Sequence, residues 1–391
     1  HLADYLDVFS KNLESRGVKV HWAKDAQEFN EIVLGILNDH HVKKMVKSKS
    51  MLTEECEMNP YLEKHGIDVV ETDLGERIIQ LLGQKPSHIV MPAIHLKREE
   101  VGKMFEEKGI SKEIGNYDPT YLTRCARHHL RDQFMEAGAG MTGCNFGVAE
   151  TGDCVVCTNE GNADMTTSMP KLHIVAMGIE KLVPDYKSLA VFQRLLCRCG
   201  TGQPTTAFTS HFRQARPGAE MHVVLVDNGR SDILADKDHW QTLKCMRCGA
   251  CMNTCPVYRR SGGYSYTYFI PGPVGVNLGM LKNPQKYADN VSACTLCLSC
   301  DNVCPSKVGP GSQIYVWRQS LDKLGKANPI KKAMSSGMEY LFDRPSLYTT
   351  ALRFAPLANL IPECCTHFSN WNAWGIGHAM PEFAKKSFHQ L

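Results

Sequence analysis

A four-cysteine pattern that occurs twice constrains this 391-residue sequence more than any other feature. The pattern Cys-x2-Cys-x2-Cys-x3-Cys-Pro occupies residues 245–256 and again residues 294–305. Cysteines at this spacing allow one tight loop to present thiolates to three corners of a cubane, and the fourth cysteine reaches across to the other cluster. We therefore predict two [4Fe–4S] clusters. Their predicted ligands are Cys245, Cys248, Cys251 and Cys304 for the first cluster, and Cys294, Cys297, Cys300 and Cys255 for the second.

Structural zinc is the alternative explanation of these cysteines. Zinc sites usually take two ligands from each of two separated Cys-x2-Cys pairs, whereas this sequence twice places three cysteines before a fourth that precedes proline. The spacing therefore favours iron and sulfur. Gly249 leaves room for backbone N–H groups to approach the sulfides of the first cluster. With helices expected at 288–293 and 314–324, the region resembles the α-helical ferredoxin module of respiratory iron–sulfur subunits, which carries single electrons.

The remaining composition is that of a globular protein that does not depend on disulfides. Seventeen cysteines cannot all pair within one chain, and 44 basic against 41 acidic residues leave too little net charge to indicate a nucleic-acid partner. No apolar run is long enough for a transmembrane segment, and no signal peptide is evident. The chain begins at His1 rather than Met, so we expect upstream residues to be missing. We predict a cytoplasmic protein, peripheral to a membrane only through partners.

The order of patterned segments predicts three regions. Residues 1–240 alternate helical and strand-like segments and then add hairpins, which indicates an α/β domain with a largely parallel sheet. Residues 241–325 form the cysteine module, and residues 326–391 form a helical, partner-facing extension with Trp371 and Trp374 near its end. Predicted strands lie at 42–46, 67–70, 88–91, 145–150, 154–158, 172–177 and 222–227. Predicted helices lie at 29–37 behind an Asp25 cap, and at 53–64, 76–82, 122–137 and 191–197.

The polar run Lys47-Ser48-Lys49-Ser50 follows the first predicted strand. In open α/β sheets, ligands bind in crevices at the carboxyl ends of the strands. Two lysines and two hydroxyls at such an end suit a carboxylate or a phosphate, so we predict Lys47, Ser48, Lys49 and Ser50 as substrate-binding residues. A solvated basic loop is the alternative explanation.

Two turns further along the chain carry acids and amides. They are Glu150-Thr151-Gly152 and Asn159-Glu160-Gly161-Asn162. We expect one hairpin to bring Glu150 and Glu160 together as catalytic groups for proton transfer. Thr151, Asn159 and Asn162 are then predicted substrate contacts. Turn formation explains the asparagines and glycines equally well.

Gly138-x-Gly140-x-x-Gly143 matches the dinucleotide-binding fingerprint letter for letter. That motif requires a strand before it and a helix after it, and here the order is reversed. We therefore expect these glycines to form a turn into a strand, and we expect no NAD or flavin on this chain.

Nine cysteines fall outside the repeated pattern, and Cys154-x2-Cys157 and Cys197-x-Cys199 suggest a third metal. Because Cys154 and Cys157 stand three apart on a predicted strand, they should face opposite sides of the sheet. Buried free thiols are therefore the favoured interpretation.

Taken in order, these motifs resemble one known family. The run at 47–50 and the turns at 150–152 and 159–162, followed by Asp227-Asn-Gly-Arg-Ser231, resemble the LUD domain. Arg247-Cys-Gly-Ala-Cys251, Cys255-Pro-Val-Tyr-Arg259 and Pro271-Gly-Pro273 follow, in an order similar to that of the iron–sulfur protein B family of the three-protein lactate-utilisation system. The segment Ala384-Lys-Lys-Ser-Phe388 extends the resemblance to the chain's end.

The resemblance implies a LUD domain related to sugar-isomerase and CoA-transferase-like α/β folds, followed by a two-cluster ferredoxin module. It implies oxidation of L-lactate to pyruvate in a complex with a cysteine-rich iron–sulfur protein and a second LUD protein. It also leads us to expect small or aliphatic residues at five cysteine positions: Cys144, Cys154, Cys157, Cys197 and Cys199. We predict the electron-carrying subunit of an L-lactate dehydrogenase complex, inactive without its partners. The alternatives are a subunit acting on another 2-hydroxyacid such as glycolate, and a ligand-binding or redox-sensing LUD protein.

Overall fold

The computed structural model describes residues 1–326, 329–361 and 382–386. The chain divides into two compact units, residues 1–320 and residues 321–391. Trp371, Trp374 and Phe388, which were named from the sequence, lie outside the described residues, as do Cys364 and Cys365, two of the nine cysteines outside the repeated pattern.

The first unit is built around two sheets. The strands are β1 (Lys19–Ala23), β2 (Lys44–Lys47), β3 (Asp68–Glu71), β4 (Ala139–Gly143), β5 (Phe146–Val148), β6 (Asp153–Thr158), β7 (Leu172–Gly178), β8 (Leu182–Val183), β9 (Phe208–Phe212) and β10 (Glu220–Val226). Six of them form a sheet in the order β1-β10-β7-β4-β2-β3, in which every pair is parallel. The α/β fold class expected from the sequence is thus confirmed. The second sheet, in the order β8-β5-β6-β9, is mixed.

Helices cover both faces of the parallel sheet and continue through the rest of the chain. In order they are α1 (Leu2–Glu14), α2 (Ala26–Asp39), α3 (Met51–Glu55), α4 (Met58–Lys64), α5 (Leu74–Leu82), α6 (Arg98–Glu107), α7 (Pro119–Glu136), α8 (Asn162–Ser168), α9 (Tyr186–Thr201), α10 (Arg230–Ala235), α11 (Ala250–Thr254), α12 (Pro256–Ser261), α13 (Gly272–Lys282), α14 (Pro284–Ser292), α15 (Ser299–Val303), α16 (Pro310–Ser320), α17 (Pro329–Phe342) and α18 (Pro345–Phe354). In the described part of the chain, no helix has both the length and the apolar character that crossing a membrane requires.

Side-chain alternation divides the core between the two faces of the parallel sheet. Ile174 and Val224 pack with the residues of α2, α3 and α4, whereas Val175 and Val223 pack with those of α1. Strands buried on both faces have continuous apolar sequences, as β7 and β10 do. Helix α2 begins as expected, because the Asp25 carboxylate accepts the Glu28 N–H at 2.9 Å.

The expected helix at 53–64 is two helices in the structure. Glu57 adopts a left-handed conformation, with φ of 51°, and so separates α3 from α4. The chain therefore changes direction directly below the carboxyl edge of the sheet.

The expected strand at 88–91 is wrong. This segment has no strand partner and instead docks on the cysteine module: Tyr258 Oη donates to Ser87 O at 2.7 Å, and His88 Nε2 lies 3.1 Å from Asn253 Oδ1. Its apolar residues therefore bury themselves against helices, which periodicity alone cannot distinguish from burial in a sheet.

The glycine pattern at 138–143 is also not the expected turn. It forms β4, in the middle of the parallel sheet. A Cβ at Gly140 would stand 1.8 Å from the carbonyl oxygen of Thr166, so glycine is needed for α8 to approach the strand closely. Close helix packing explains the pattern without a dinucleotide.

The cysteine module is helical, and its repeat is visible in the backbone. In each half of the repeat the third cysteine lies in a short helix, α11 or α15, and these two helices pack against each other. The helices expected at 288–293 and 314–324 correspond to α14 and α16, which begin earlier because Pro284 and Pro310 open them.

The second unit contains α17 and α18, which pack against each other. Lys332 Nζ lies 2.8 Å from Asp322 Oδ1 within this unit.

Candidate functional site

A cavity of about 370 Å³ lies at the carboxyl edge of the parallel sheet, where open α/β sheets usually bind ligands. The segments that leave β2, β4 and β7 all contribute to its wall, through Lys49, Asn145 and Glu180 respectively. The opposite wall includes Met246 and Arg247, which stand between the first two cysteines of the repeat. The cavity therefore touches both the LUD-like sheet and the first predicted cluster loop.

Lys47 does not reach this cavity. It is fully buried, and its ammonium lies 2.7 Å from Glu71 and 3.2 Å from Glu54. Burial alone would lower the pKa of Lys47, but the two carboxylates outweigh that effect and raise it. Since internal acids neutralise this ammonium, the expectation that Lys47 binds substrate is wrong. Ser48 is also buried and does not line the cavity.

Lys49 and Ser50 do line the cavity. Lys49 Nζ donates to the carbonyl oxygen of Val90 at 3.0 Å and lies 3.5 Å from Glu76. Burial raises the pKa of Glu76 to about 7, although Lys49 opposes the shift. Ser50 caps α3, because its hydroxyl accepts the Thr53 N–H. The polar run is thus divided between an internal ion pair and the cavity wall.

The two predicted catalytic acids lie at opposite ends of β6. Glu150 is in the turn that joins β5 to β6, where it accepts the Tyr186 N–H at 3.0 Å, and Glu160 follows the other end of the strand. At about 3.3 Å per residue, the six residues of β6 separate them by roughly 20 Å. The expectation that one hairpin brings them together is therefore wrong. Glu150 and Thr151 are not among the cavity's lining residues.

Glu160 lines the rim of the cavity together with Asn159 and Asn162. Its carboxylate accepts the N–H of Leu74, the first residue of α5, at 3.0 Å. Loss of solvent and the nearby carboxylate of Asp73 raise the pKa of Glu160 to about 7, against the opposing effect of Lys49. A carboxyl group with such a pKa exchanges protons readily near neutral pH.

The two asparagines differ in how they are held. Asn159 donates to Gln203 Oε1 at 2.9 Å and accepts the Ala207 N–H, which fixes both ends of its amide. Asn162 is buried, and its Oδ1 has no hydrogen-bond partner. That oxygen is therefore a buried acceptor whose hydrogen-bonding capacity is unused in the described structure.

A buried ionic cluster that sequence reasoning missed forms the floor of the cavity. Arg230 holds both carboxylate oxygens of Glu55 at 3.0 Å and also donates to Glu180. Despite burial, these two acids raise the pKa of Arg230, and Arg230 in turn helps lower the pKa of Glu180. The only feature of the sequence that could have indicated this cluster is Arg230, which belongs to the family motif at 227–231. Its partner Glu55 is too distant in sequence for a local pattern to connect the two.

Arg247 and Lys181 also line the cavity and were missed. Lys181 Nζ donates to the carbonyl oxygen of Cys245 at 3.1 Å, and Arg247 Nη1 is buried without a hydrogen-bond partner. A second cavity of about 570 Å³ shares Arg247 with the first. The sequence analysis did not identify Arg247 or Lys181 as site residues, because it interpreted the segment around residue 247 only through its cysteines.

The two cysteine loops have matching backbones that suit iron–sulfur ligation. Arg247 and Leu296, at equivalent positions, both have positive φ values, 64° and 55°, and their N–H groups lie 3.4 Å from the Sγ atoms of Cys245 and Cys294. Gly249 and Leu298 are again equivalent and left-handed. Such turns direct backbone N–H groups towards sulfur, which iron–sulfur clusters accept.

Sulfurs from the two halves of the repeat lie near enough to influence one another. Burial raises the pKa of Cys248 to about 11, and the sulfurs of Cys245, Cys199 and Cys304 add to the shift. Burial likewise raises the pKa of Cys294, with a contribution from Cys255. Cys251 also interacts with Cys300. The assignment of Cys304 to the first set and of Cys255 to the second therefore stays a prediction.

The sulfur positions do not suit a compact zinc site. Tetrahedral zinc with Zn–S bonds of about 2.3 Å requires sulfurs about 3.8 Å apart. Within residues 1–326, 329–361 and 382–386, no three cysteine sulfurs lie within 4.8 Å of one another.

Sequence comparisons connect these features to known proteins. The LUD domain family matches residues 6–231, and the 4Fe-4S dicluster domain family matches residues 241–308. Lactate utilization protein B of Bacillus pumilus (strain SAFR-032) is 41% identical to the chain over 366 residues, which cover 91% of the chain and 76% of that protein. The chain belongs to the lactate utilization protein B family.

Other members of the lactate utilization protein B family show the same extent of similarity. The protein of Geobacillus thermodenitrificans (strain NG80-2) is 41% identical over 364 residues, covering 90% of the chain and 76% of that protein. The protein of Macrococcus caseolyticus (strain JCSC5402) is 44% identical over 313 residues, covering 78% and 65%. A solved structure of a duf162 family protein from Deinococcus radiodurans aligns with 58% of the chain and 98% of its own, at 13% identity and a TM-score of 0.33. That similarity is too weak to inform the site.

The additional cysteines of this lactate utilization protein B family member fall into two environments. Cys154 packs beneath the parallel sheet near Cys144, whereas Cys157 packs on the other face of β6, as the strand period predicts. Cys144, Cys157 and Cys197 line the cavity. In the described residues they form no group of three sulfurs close enough to share a metal ion.

One polar cluster lies at the amino-terminal edge of the sheet, away from the cavity's strand ends. His222 Nε2 lies 2.6 Å and His40 Nε2 3.4 Å from Glu220 Oε1. Lys19 donates to the same carboxylate oxygen, and His21 Nε2 lies 3.0 Å from His222 Nδ1. The sequence analysis missed this cluster because its members come from β1, β10 and the end of α2, which are distant in sequence.

Proposed function

We propose that the protein is the iron–sulfur subunit of a complex that oxidises L-lactate to pyruvate. The observation that carries the proposal is the shared wall of the cavity. Met246 and Arg247 belong both to that wall and to the loop that bears Cys245 and Cys248. A small hydroxyacid in this cavity would therefore lie beside the first electron carrier, which favours direct electron transfer.

Oxidation of lactate to pyruvate releases two electrons and two protons. When bound, each [4Fe–4S] cluster accepts and passes on one electron, so two clusters match the stoichiometry. The proposed first set is Cys245, Cys248, Cys251 and Cys304, and the second is Cys294, Cys297, Cys300 and Cys255.

The chain's own residues would hold the acid and accept a proton. In our proposal Lys49, Ser50, Asn159 and Asn162 surround the substrate, and Glu160 takes the hydroxyl proton. The hydrogen on Cα would leave as the second proton to solvent, and the two electrons would pass singly to the clusters. Glu150 has no part in it. Residues 1–240 then supply these groups, and the cysteine module supplies the electron carriers and part of the cavity wall.

Partners complete the proposed activity. The relatives' name concerns lactate utilisation, and we propose that a cysteine-rich iron–sulfur protein and a second LUD protein join this chain. We propose no NAD or flavin on the chain itself, since the glycine pattern serves helix packing at β4.

The test is substrate-dependent dye reduction by the complex purified anaerobically from its source. We expect L-lactate to reduce the dye, and D-lactate and glycolate to do so much less. Replacing Cys304 with Ser should abolish dye reduction, whereas replacing Cys125, which lies outside both predicted ligand sets, should not. Preference for glycolate would redirect the proposal to another 2-hydroxyacid, and no reduction with any acid would contradict an oxidoreductase role.

A further inference from the structure

We propose that Arg247 binds the carboxylate of the substrate, so that the first cluster loop itself holds the acid. This inference rests on the proposed function, because it assumes that the cavity receives a 2-hydroxyacid. We thereby assign the anion-binding role, predicted from the sequence for Lys47 and Lys49, to a residue that lies between two predicted cluster ligands.

The first reason is that the guanidinium has unused donors. Arg247 Nη1 is buried and has no hydrogen-bond partner. A buried donor without a partner is costly, and a charged planar group offers two parallel N–H donors to a carboxylate. A bound carboxylate would satisfy this donor.

The other cations of the cavity already have partners. Arg230 is held by Glu55 and Glu180. Lys49 donates to Val90 O and lies near Glu76. Lys181 donates to Cys245 O and lies 3.9 Å from Glu180. Among the described cations that line the cavity, Arg247 is therefore the one with a buried side-chain nitrogen that has no hydrogen-bond partner, although its charge helps lower the pKa of Glu180.

The second reason is a comparison within the repeat. Leu296 occupies the position equivalent to Arg247 in the second loop and has the same left-handed backbone. The loop conformation therefore does not require a charged side chain at this position. The arginine occurs in the loop that faces the cavity, which points to a ligand rather than to the cluster.

The third reason concerns which of the two adjoining cavities holds the acid. Both contain four cations, counting the shared Arg230 and Arg247. The first cavity has four acids, Glu55, Asp73, Glu160 and Glu180, and the second has five, Asp25, Glu55, Glu180, Asp232 and Asp236. The first also has the Glu160 carboxyl and the Asn162 acceptor for a hydroxyl group. We therefore assign the acid to the first cavity.

The test measures binding by the cluster-loaded chain, using calorimetry with L-lactate and its uncharged analogue lactamide. The wild type should prefer lactate by at least about 10-fold, as expected for a charge-assisted pair. R247Q should weaken lactate binding by about 10-fold or more and remove the preference. R247K, which keeps the charge but loses the two-donor geometry, should lie between them.

K282Q provides a matched control, because Lys282 lines the second cavity and not the first. It should bind lactate like the wild type. Iron content confirms that each variant is loaded, and if R247Q does not retain iron, R247K decides the question. Equal lactate affinity in R247Q and the wild type, or weakening by K282Q alone, would overturn the proposal.

The same titration separates this inference from the proposed function. Arg247-dependent binding of glycolate but not lactate would support the carboxylate site and contradict lactate as substrate. No binding of any acid by the chain would contradict the site, while lactate-dependent dye reduction by the complex would still test the function independently.

Discussion

Lys181 donates a hydrogen bond from Nζ to the carbonyl oxygen of Cys245 at 3.1 Å. Lys181 follows β7 of the parallel sheet, and Cys245 is the first cysteine of the repeat. A charged donor thus connects the carboxyl edge of the sheet to the predicted first cluster. Lys181 also lines the cavity, so in the proposed function this contact would set the distance between the substrate and the first cluster.

Replacing Lys181 with Met should loosen that connection. Loss of a charge-assisted hydrogen bond costs about 1.5–3 kcal/mol, and the effect should fall on the first cluster loop. We expect the electron paramagnetic resonance signal of the first cluster to change while that of the second is retained. Lys187→Met, at an exposed position on α9, is the control and should leave both signals unchanged. Identical spectra for Lys181→Met and the wild type would refute a connecting role.

Replacing Arg230 with Met should destabilise the sheet domain strongly. The substitution leaves Glu55 and Glu180 as buried acids without their cation, and breaking such pairs costs about 3–5 kcal/mol. Urea unfolding measures the change in free energy. Arg98→Met, which removes an exposed ion pair with Glu99, should leave the free energy of unfolding nearly unchanged. Comparable losses in the two variants would show that the buried cluster is not a major source of stability.

Glu160 should give the reaction a pH dependence near neutrality. Its pKa is about 7, so its carboxylate form, which accepts a proton, becomes predominant as the pH rises through 7. We expect kcat/KM of the complex to rise over pH 6 to 8 and E160Q to be slow and nearly independent of pH. Asp73 and Lys49 are the charged groups that act on Glu160. Removing the Asp73 charge in D73N should lower the pKa and move the profile to lower pH.

E150Q is the control for this profile, because Glu150 sits in the turn before β6 and outside the cavity lining. Its pH profile should match that of the wild type. A profile that E160Q leaves intact would assign the proton transfer to another group.

The repeat offers a matched pair of backbone tests. Gly249 has φ of 79°, and a Cβ there would meet His88 Cε1 at 3.3 Å, so G249A should weaken retention of the first cluster. Leu298 holds the equivalent left-handed position at 57°, so L298G should retain the second cluster at least as well as the wild type. Iron content after exposure to a chelator measures both. Faster loss from L298G than from G249A would contradict the equivalence of the loops.

Much of the fold could be predicted from the sequence, because local signals and global structure agree there. The Asp25 cap and the apolar strands β7 and β10 illustrate such agreement. The segment at 88–91 shows the limit: its apolar residues pack on the cysteine module through a contact with Asn253, more than 160 positions away. No local pattern specifies such a partner.

The site was less predictable, because burial decides which charged residues remain available. Lys47 and Lys49 look equivalent in sequence, but Glu71 neutralises Lys47 inside the sheet, and Lys49 lines the cavity. Arg247 was overlooked because the cavity that it lines is formed jointly by the sheet region and the cysteine module. No local sequence pattern indicates such a shared cavity.

The most direct test of the account is the redox state of the clusters after L-lactate is added anaerobically to the purified complex. We predict about eight iron atoms per chain and the appearance of reduced [4Fe–4S] signals from both clusters, with C304S losing the first signal and C255S the second. Signals that appear with dithionite but never with L-lactate would contradict the account.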